Sequence, residues 1–297
     1  MATSIPTSTR CWPTSVRANW LRVTDARTAL REELVAQGLE PREARWLLEE
    51  YFLGDDPAAT SAVRGAAARR LKGEPLQYVL GHWPFRGLDL DVDERVLIPR
   101  PETEELVTLA LDELAARDCA TPLIVDLGCG SGAIGLSLLD ELARRGVRAN
   151  LVALDVSLDA LAVARRNALK HRLERVSFVH SSWFDDLDRS LRGRVDLLVA
   201  NPPYVGQREY ETLEPVLDFE PRVALVAPDE GAIEGFADVA HVIGAAPAWL
   251  APRGTLVVEH GERHGLAALA AARRAGFRHC RDVTDLAGKD RVLVATT

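Results

Sequence analysis

The spacing of apolar residues predicts a small helical domain in the first part of the chain. Between residues 17 and 72, apolar side chains recur at helical spacing and strand signals are nearly absent. The recurring residues are Leu30, Leu34, Leu39, Ala44, Leu47, Leu48 and Phe52. Glycine and proline residues at 38–41 and again at 54–57 separate the predicted helices. We therefore expect a helical domain over residues 17–80.

A change of period marks the end of this domain. Residues 83–98 alternate polar and apolar positions around turn residues, which is typical of a β-hairpin. We predict a hairpin linker over residues 81–98 and a larger domain over residues 99–297. Pro101 suits the first position of the next helix, and the helix dipole would stabilise the three glutamates in its first turn.

From residue 123 onwards, strand and helix patterns alternate. The predicted strands cover residues 123–127, 150–155, 175–180, 195–200, 255–259, 278–284 and 291–295. Helical patterns at about 133–145, 158–171, 231–250 and 263–276 separate most of them. Repeated β-α-β units predict an α/β fold, with a parallel sheet covered by helices on both faces. The last two strands would form a hairpin that places one antiparallel strand in the sheet.

The composition of the chain argues against several classes of binding partner and of structural site. The chain has 297 residues, a formal net charge of −8 and four scattered cysteines without a C-x-x-C pair. The acidic balance weighs against a broad surface for nucleic acid or anionic membrane. The cysteines argue against a disulfide framework or a zinc site and indicate a reducing compartment. Since no apolar stretch is long enough for a membrane span, we expect a cytoplasmic protein.

The first 24 residues differ in composition from the rest. They contain Arg10, Arg17 and Arg22, many serine and threonine residues, and no acidic residue before Asp25. Disordered extensions and organelle transit peptides both have this composition. We expect a disordered extension over residues 1–16 and keep organelle targeting by residues 1–24 as the alternative.

Asn201, Pro202, Pro203 and Tyr204 directly follow the predicted buried strand at 195–200. They deliver a polar amide at the carboxyl end of a strand, which is where ligands bind in open α/β sheets. The two prolines stiffen the segment and the aromatic ring walls it. This combination suits a site that holds a flat, conjugated NH2 group against a reactive partner.

A glycine-rich turn joins the first predicted strand of the sheet to its helix. It comprises Asp126, Gly128, Cys129, Gly130, Ser131, Gly132 and Gly135. Glycine permits positive φ and a close approach of ligand to backbone, so the turn predicts a nucleotide site. At the end of the second strand, Asp155 would accept hydrogen bonds from ribose hydroxyls. Cys129 lacks a neighbouring base and is not expected to be a nucleophile.

Two classes of nucleotide compete for this turn. The spacing of Gly130, Gly132 and Gly135, together with Asp155, satisfies the dinucleotide fingerprint and on its own would indicate NAD. However, Asp126 lies on the strand itself, where it can meet a cationic amino group. The segment after residue 200 also has no role in hydride transfer. An S-adenosylmethionine pocket accounts for both features.

A tryptophan and a pair of histidines lie near the ends of predicted strands. Trp183 follows the third strand, beside the expected adenine position, and either stacks on the adenine or packs in the core. His260 and His264 stand near acidic residues, but their spacing is not H-E-x-x-H and a glycine interrupts any helix. We therefore predict no metal site.

Together these features make the chain similar to the HemK/PrmC family of release-factor glutamine N5-methyltransferases, from about residue 20 to the C-terminus. The segments that carry the resemblance are residues 73–81, 97–104, the glycine loop, 182–184, 201–204, 219–221 and 259–261. The resemblance implies a seven-stranded, Rossmann-like class I methyltransferase sheet, preceded by the hairpin linker and by a helical domain that docks the substrate protein.

The same resemblance implies an enzyme that methylates the side-chain amide nitrogen of the glutamine in the Gly-Gly-Gln motif of peptide chain release factors. S-adenosylmethionine is the expected methyl donor, and no direct nucleic-acid or membrane partner is expected. The implied cofactor-binding residues are Asp126, Gly128, Cys129, Gly130, Ser131, Gly132, Asp155, Ser182, Trp183 and Asn201. Many family members carry an acid at the position of Ser182, and serine accepts a hydrogen bond from the adenine amino group more weakly.

The expected catalytic residues are Asn201, Pro202 and Tyr204. The side-chain oxygen of Asn201 and the backbone carbonyl of Pro202 would accept the two N–H groups of the substrate amide, and Tyr204 would pack against its plane. Pro203, Arg100 and Glu220 complete the expected substrate site. Arg100 is equally suited to capping the hairpin, and Glu220 to a surface salt bridge.

Three alternatives remain open from the sequence. The substrate could be a glutamine of a ribosomal protein, or the conjugated NH2 of an adenine in nucleic acid. The acidic charge and the lack of a basic recognition domain count against adenine. The chain could also be a module that only binds cofactor and release factor, but such a binder has no need of the motif at 201–204.

Overall fold

The computed structural model describes residues 26–52, 56–117 and 119–297. These residues divide into two compact units, one up to Leu80 and one from Gly81 onwards. The predicted extension over residues 1–16 and the alternative targeting segment over residues 1–24 lie outside the described residues. None of the helices in the described ranges is long and apolar enough to span a membrane.

The first unit is a cluster of helices around one apolar core. Residues 26–36 are helical (α1), and α2 (Pro41–Tyr51), α3 (Pro57–Leu71) and α4 (Leu76–Leu80) follow. Prolines begin α2 and α3, and the Asp56 side chain caps α3 by accepting a hydrogen bond from Ala59 N at 2.8 Å. The buried core contains the apolar residues predicted from helical spacing: Leu30, Leu34, Leu39, Ala44, Leu47, Leu48 and Phe52.

The second unit contains a hairpin and a seven-stranded sheet. The hairpin consists of β1 (His82–Phe85) and β2 (Leu88–Asp91). The sheet consists of β3 (Leu123–Leu127), β4 (Asn150–Asp155), β5 (Val176–His180), β6 (Val195–Ala200), β7 (Leu250–Glu259), β8 (His279–Thr284) and β9 (Asp290–Thr296). Its order is β5-β4-β3-β6-β7-β9-β8, and β9 alone runs antiparallel to its neighbours β7 and β8. The predicted α/β sheet with one antiparallel strand is confirmed.

Helices cover both faces of the sheet. They are α5 (Thr103–Ala115), α6 (Ala133–Arg144), α7 (Leu158–Lys170), α9 (Ala237–Ala245) and α10 (Gly265–Ala275); the short α8 (Gln207–Tyr210) lies in the connection between β6 and α9. Apolar residues of α5, α6, α7 and the hairpin form one core against the sheet. Apolar residues of α9 and α10 form the second core, on the other face. Because both faces are buried, the central strands are almost uninterrupted runs of aliphatic residues.

Several predicted boundaries are wrong for local reasons. The helix predicted at 231–250 is confined to Ala237–Ala245, because Gly231 and Gly235 adopt φ of 62° and 69° and strand β7 already begins at Leu250. Pro101 does not begin a helix: a turn closes from Thr103 N to Arg100 O, and α5 starts at Thr103. The short helix α4 was not predicted, since glycines flank it on both sides.

Asn167 of α7 fastens the hairpin to the rest of the second unit. It is fully buried, and its Oδ1 accepts a hydrogen bond from Asp91 N at 2.7 Å. Its Nδ2 donates to Asp91 O at 3.0 Å and to Ser131 O at 2.9 Å. One side chain thus satisfies backbone groups of β2 and of the glycine loop, which otherwise would be buried without partners.

We expect Asn167→Ala to lower the free energy of unfolding by about 3 kcal/mol, because one buried and two partly buried backbone groups lose their partner. Chemical denaturation monitored by circular dichroism measures the change. Asn150→Ala is the matched control, since Asn150 is exposed and its side-chain oxygen accepts a hydrogen bond from Arg175 on the surface. An equal loss in both variants would show that Asn167 has no special role in attaching the hairpin.

Candidate active site

The carboxyl ends of β3, β4, β5 and β6 surround a cavity of about 280 Å³. In parallel sheets these ends meet at one edge, so residues that directly follow a strand converge there. Many of the residues predicted to bind cofactor or substrate line the cavity: Gly128, Gly130, Asp155, Trp183, Asn201 and Pro203. Ser182 lines it as well. These seven predicted residues are therefore brought together in space.

The glycine loop forms one wall of the cavity with its backbone. Gly128 and Gly130 adopt φ of 72° and 55°, in the left-handed region that residues with a side chain disfavour. The remaining predicted loop residues, Cys129, Ser131 and Gly132, lie in the loop but do not line the cavity. Burial raises the pKa of the Cys129 thiol well above its ordinary value, which keeps it protonated and unreactive.

Asp155 lies on the cavity wall at the end of β4. Its Oδ2 accepts a hydrogen bond from Gly130 N at 2.8 Å, and its Oδ1 accepts one from Ser157 N at 2.9 Å. Burial raises the pKa of Asp155, and these backbone hydrogen bonds oppose the rise. Each carboxylate oxygen has a further lone pair, so the residue can still accept hydrogen bonds from hydroxyl groups of a ligand.

Asp126 lies on β3, two residues before Gly128, and does not line the cavity. The residue is fully buried, and its Oδ2 accepts a hydrogen bond from Gly135 N at 2.9 Å. Its Oδ1 has no partner among the described residues. Burial raises the pKa of Asp126 to about 7, against an ordinary value of 3.8. A buried carboxylate with one unpaired oxygen is costly to the free protein, and such residues concentrate at functional sites.

The turn after β5 places an indole against the glycine loop. Trp183 has φ of 47°, and a side chain at Gly128 would contact its ring at 3.7 Å. Its Nε1 donates a hydrogen bond to Asp238 Oδ1 at 3.2 Å, and both residues line the cavity. Burial raises the pKa of Asp238. Asp238 was missed from the sequence, because a single acid in a helical stretch carries no motif.

Asn201 belongs to a hydrogen-bonded chain that ends in a buried carboxylate. Its Nδ2 donates to Thr103 Oγ1 at 3.2 Å, and Thr103 Oγ1 donates to Glu259 Oε2 at 2.7 Å. From the other side, the Tyr204 hydroxyl donates to Glu259 Oε1 at 3.0 Å. Thr103 and Glu259 were not predicted as site residues. Glu259 did carry a usable signal, since it is an acid at the carboxyl end of a buried strand.

Two acceptors in the segment after β6 have no hydrogen bond from any described residue. Asn201 of this segment lines the cavity, whereas Pro202 and Tyr204 do not. One is Asn201 Oδ1, because the amide nitrogen takes the contact with Thr103. The other is the backbone carbonyl of Pro202, which follows directly in the chain. Gly235 holds this segment in place: a Cβ there would lie 2.5 Å from Tyr204 O, so only glycine fits.

Arg100 and Glu220 form an ion pair with each other. Glu220 is buried; its Oε2 accepts a hydrogen bond from Ile98 N at 3.0 Å, and its Oε1 accepts one from the Arg100 guanidinium. Both carboxylate oxygens are therefore occupied within the chain. Neither residue lines the cavity, although their neighbours Leu97 and Pro221 do.

The two histidines singled out from the sequence are engaged in contacts within the chain. His260 Nε2 contacts Asp282 Oδ1 at 3.0 Å, and His264 Nε2 contacts Glu234 O at 2.9 Å. Burial lowers the pKa of His264. In the described ranges no group of three or more His, Cys, Asp or Glu side chains is arranged to hold a metal ion.

The family model and the relatives that match this chain are methyltransferases. Residues 107–217 match the family model of the methyltransferase small domain. The release factor glutamine methyltransferase of Bordetella pertussis is 40% identical over 264 residues, which cover 89% of this chain and 93% of that protein. The enzyme of the same name from Burkholderia pseudomallei is 37% identical and covers 93% of this chain and 92% of its own length.

Solved structures with low sequence identity share the fold. The N-terminal domain of human METTL16 in complex with SAH is 16% identical, covers 80% of this chain and 82% of that one, and has a TM-score of 0.51. The T. Thermophilus 16S rRNA N2 methyltransferase RsmC, in complex with AdoMet and guanosine, covers 73% of this chain and 49% of that one, with a TM-score of 0.50. These likenesses confirm the class I methyltransferase sheet and nothing more specific.

Because the pKa of Asp126 is raised in the folded protein, we expect the stability of the protein to depend on pH. Because the folded protein holds this proton more tightly than the unfolded chain does, the stabilisation is complete below the ordinary carboxyl pKa and is lost as the pH rises through about 7. We expect Asp126→Asn to raise the melting temperature of the ligand-free protein at pH 8 and to leave it nearly unchanged at pH 4. Thermal melts of both proteins across this range measure the effect.

Asp112→Asn, which removes an exposed carboxylate from α5, is the control and should show no such trend with pH. A melting-temperature difference for Asp126→Asn that is independent of pH would contradict the assignment of a raised pKa.

Proposed function

The chain belongs to the release factor glutamine methyltransferases, and we propose that its cavity transfers a methyl group from S-adenosylmethionine to the glutamine side-chain amide nitrogen (N5) in the Gly-Gly-Gln motif of peptide chain release factors. The chain is accordingly an enzyme with a class I methyltransferase fold. One observation carries the assignment of the reacting site: Asn201 lines the cavity, and no described residue engages its amide oxygen or the adjoining carbonyl of Pro202.

The residues of the cavity suit the methyl donor. S-adenosylmethionine supplies an electrophilic methyl group on a sulfonium. Asp155 has lone pairs available for ribose hydroxyls, and Trp183 offers an indole beside the glycine loop for the adenine. Ser182 and Asp238 offer acceptors in the same region. The unpaired buried oxygen of Asp126 supports its predicted role as partner of a cationic amino group.

The substrate amide needs help because its nitrogen lone pair is delocalised into the carbonyl group. Two acceptors directed at the two N–H groups would fix the plane of the amide and favour the rehybridisation of its nitrogen. Asn201 Oδ1 and Pro202 O are suited to this task, since neither is engaged by a described residue. Proline residues bring no backbone N–H donors that would compete at this segment. Positioning is the main contribution, worth up to several kcal/mol.

Tyr204 contributes the surface of its ring to the substrate site and acts neither as an acid nor as a base. Burial, followed by the nearby charge of Glu259, raises the pKa of its phenol, so the hydroxyl remains a donor to that carboxylate. Held in this way, the ring would pack against the substrate amide and exclude water. No strong base is required, because the methylated nitrogen loses its proton readily.

The helical unit and the hairpin have separate proposed roles. We assign docking of the release factor to the helical domain over residues 17–80, and the linking role to residues 81–98. The division of the chain after Leu80 supports this assignment.

The proposed substrate is tested by incubating the protein with labelled S-adenosylmethionine and, in separate reactions, a release factor, ribosomal proteins and nucleic acid. We expect the label on the glutamine of the Gly-Gly-Gln motif, located by mass spectrometry. A release factor with that glutamine changed to alanine is the matched control and should stay unlabelled. Label only on a ribosomal protein, or only on adenine, would overturn the proposed substrate.

We expect Asn201→Ala to reduce kcat by about a hundredfold or more, because it removes one of two acceptors for the reacting amide. The affinity for S-adenosylmethionine, measured by calorimetry, should change little. Asn150→Ala is the matched control. Asn150 lies at the amino end of β4 and does not line the cavity, so this variant should retain full activity. Lost cofactor binding with an otherwise normal rate at saturation would instead make Asn201 a cofactor-binding residue.

A further inference from the structure

Glu259 stands out among the buried groups whose contribution to the reaction is still unassigned. It ends β7 with only 1% of its surface exposed, and its two oxygens accept hydrogen bonds from two hydroxyls, those of Thr103 and Tyr204. Neither Glu259 nor its partners Thr103 and Tyr204 line the cavity, whereas Asn201 does. An effect on the substrate must therefore pass through the residues that do.

The carboxylate determines which group donates and which accepts in each of these hydrogen bonds. An ionised carboxylate only accepts, so both hydroxyls must donate to Glu259. Thr103 has a single hydroxyl proton, and once this proton is directed at Glu259, its Oγ1 can only accept. The Asn201 group that faces Thr103 at 3.2 Å must therefore be the NH2 group.

This constraint decides which end of the Asn201 amide meets the substrate. A carboxamide has nearly the same shape when its oxygen and nitrogen exchange places, so packing alone does not select one orientation. With nitrogen held toward Thr103, Oδ1 is left at the cavity as an acceptor. The reversed amide would present NH2 to the NH2 of the substrate and could not accept from it.

We propose that Glu259 is a positioning residue, which acts through Thr103 to keep the amide oxygen of Asn201 directed at the substrate and which holds the ring of Tyr204 directly. The inference rests on the proposed function of Asn201 as an acceptor for the substrate amide. It adds to that function the requirement that Glu259 be ionised.

Protonation of Glu259 would reverse the chain of hydrogen bonds. The protonated acid donates to Thr103 Oγ1, and the hydroxyl of Thr103 is then free to donate to Asn201 Oδ1. Burial raises the pKa of Glu259, hydrogen bonds from Thr103 and Tyr204 and the charge of Arg291 lower it, and Glu102 raises it. Because the carboxyl form is inactive, activity falls as the pH drops through this raised pKa.

The first test compares two substitutions of Thr103. Thr103→Val keeps the shape and removes the hydroxyl, so we expect kcat to fall at least about tenfold while KM for the release factor and the affinity for S-adenosylmethionine change little. Thr103→Ser restores the hydroxyl and most of the rate. Thr255→Val is the matched control: it removes another buried hydroxyl that contacts β9, on the same strand as Glu259, and should leave kcat unchanged.

The second test is the pH dependence of kcat at saturating cofactor and substrate. We expect Glu259→Gln to lower kcat and to remove the acid limb of the profile, because an amide does not titrate. A merely structural role of Glu259 would lower stability but leave the acid limb in place. An unchanged limb in Glu259→Gln, or equal kcat values for Thr103→Val and Thr103→Ser, would overturn the proposal.

A measurement without substrate separates this proposal from the proposed function. Hydrogen exchange of the Asn201 side-chain NH2, followed by NMR, should be slow in the wild type and in Thr103→Ser and fast in Thr103→Val. Slow exchange with no methylation of the release factor would confirm the positioning and reject the proposed substrate. Equally fast exchange in all three proteins would reject the positioning even if the enzyme methylates the release factor.

Discussion

Buried carboxylates need hydrogen-bond donors, and this requirement organises the active edge of the sheet. An unpaired charge in a protein interior costs several kcal/mol, so each buried acid must recruit partners from the chain around it. Asp155 recruits the backbone of the glycine loop, and Glu259 recruits hydroxyls from α5 and from the segment after β6. These partners are far apart in the sequence. Asp155 therefore attaches the glycine loop to the end of β4, and Glu259 attaches the start of α5 and the segment after β6 to the end of β7.

The buried acids differ in how many of their carboxylate oxygens accept hydrogen bonds, and this difference indicates different roles. Asp155 and Glu259 have both oxygens hydrogen-bonded, which makes them anchors for the glycine loop and for the side chains of Thr103 and Tyr204. Asp126 has one oxygen unpaired and a pKa near 7, so the free protein carries an avoidable cost at this position. A chain selected for stability alone would place an amide or an apolar residue there. The cost is explained if a cationic ligand supplies the missing partner.

The sequence allowed the site to be predicted where the signal is local. The glycine loop, Asp155 and Asn201 each follow directly on a buried strand, and the topology of a parallel sheet then brings them together without further information. Thr103 could not be found in this way, because its role depends on a contact with Glu259, 156 positions along the chain. The helix at 231–250 was overpredicted because apolar periodicity carries no information on the left-handed glycines that delay its start.

The segment between β6 and α9 illustrates why local pattern is insufficient for a substrate site. By sequence it is an irregular connection, and Glu220 within it appeared equally suited to the substrate mouth or to a surface salt bridge. Instead, Glu220 is buried and binds Ile98 N and Arg100, which joins this segment to the chain that precedes α5. Leu97 and Pro221, next to these contacts, both line the cavity. Glu220 therefore joins two segments whose neighbouring residues line the cavity, although neither Glu220 nor Arg100 lines it.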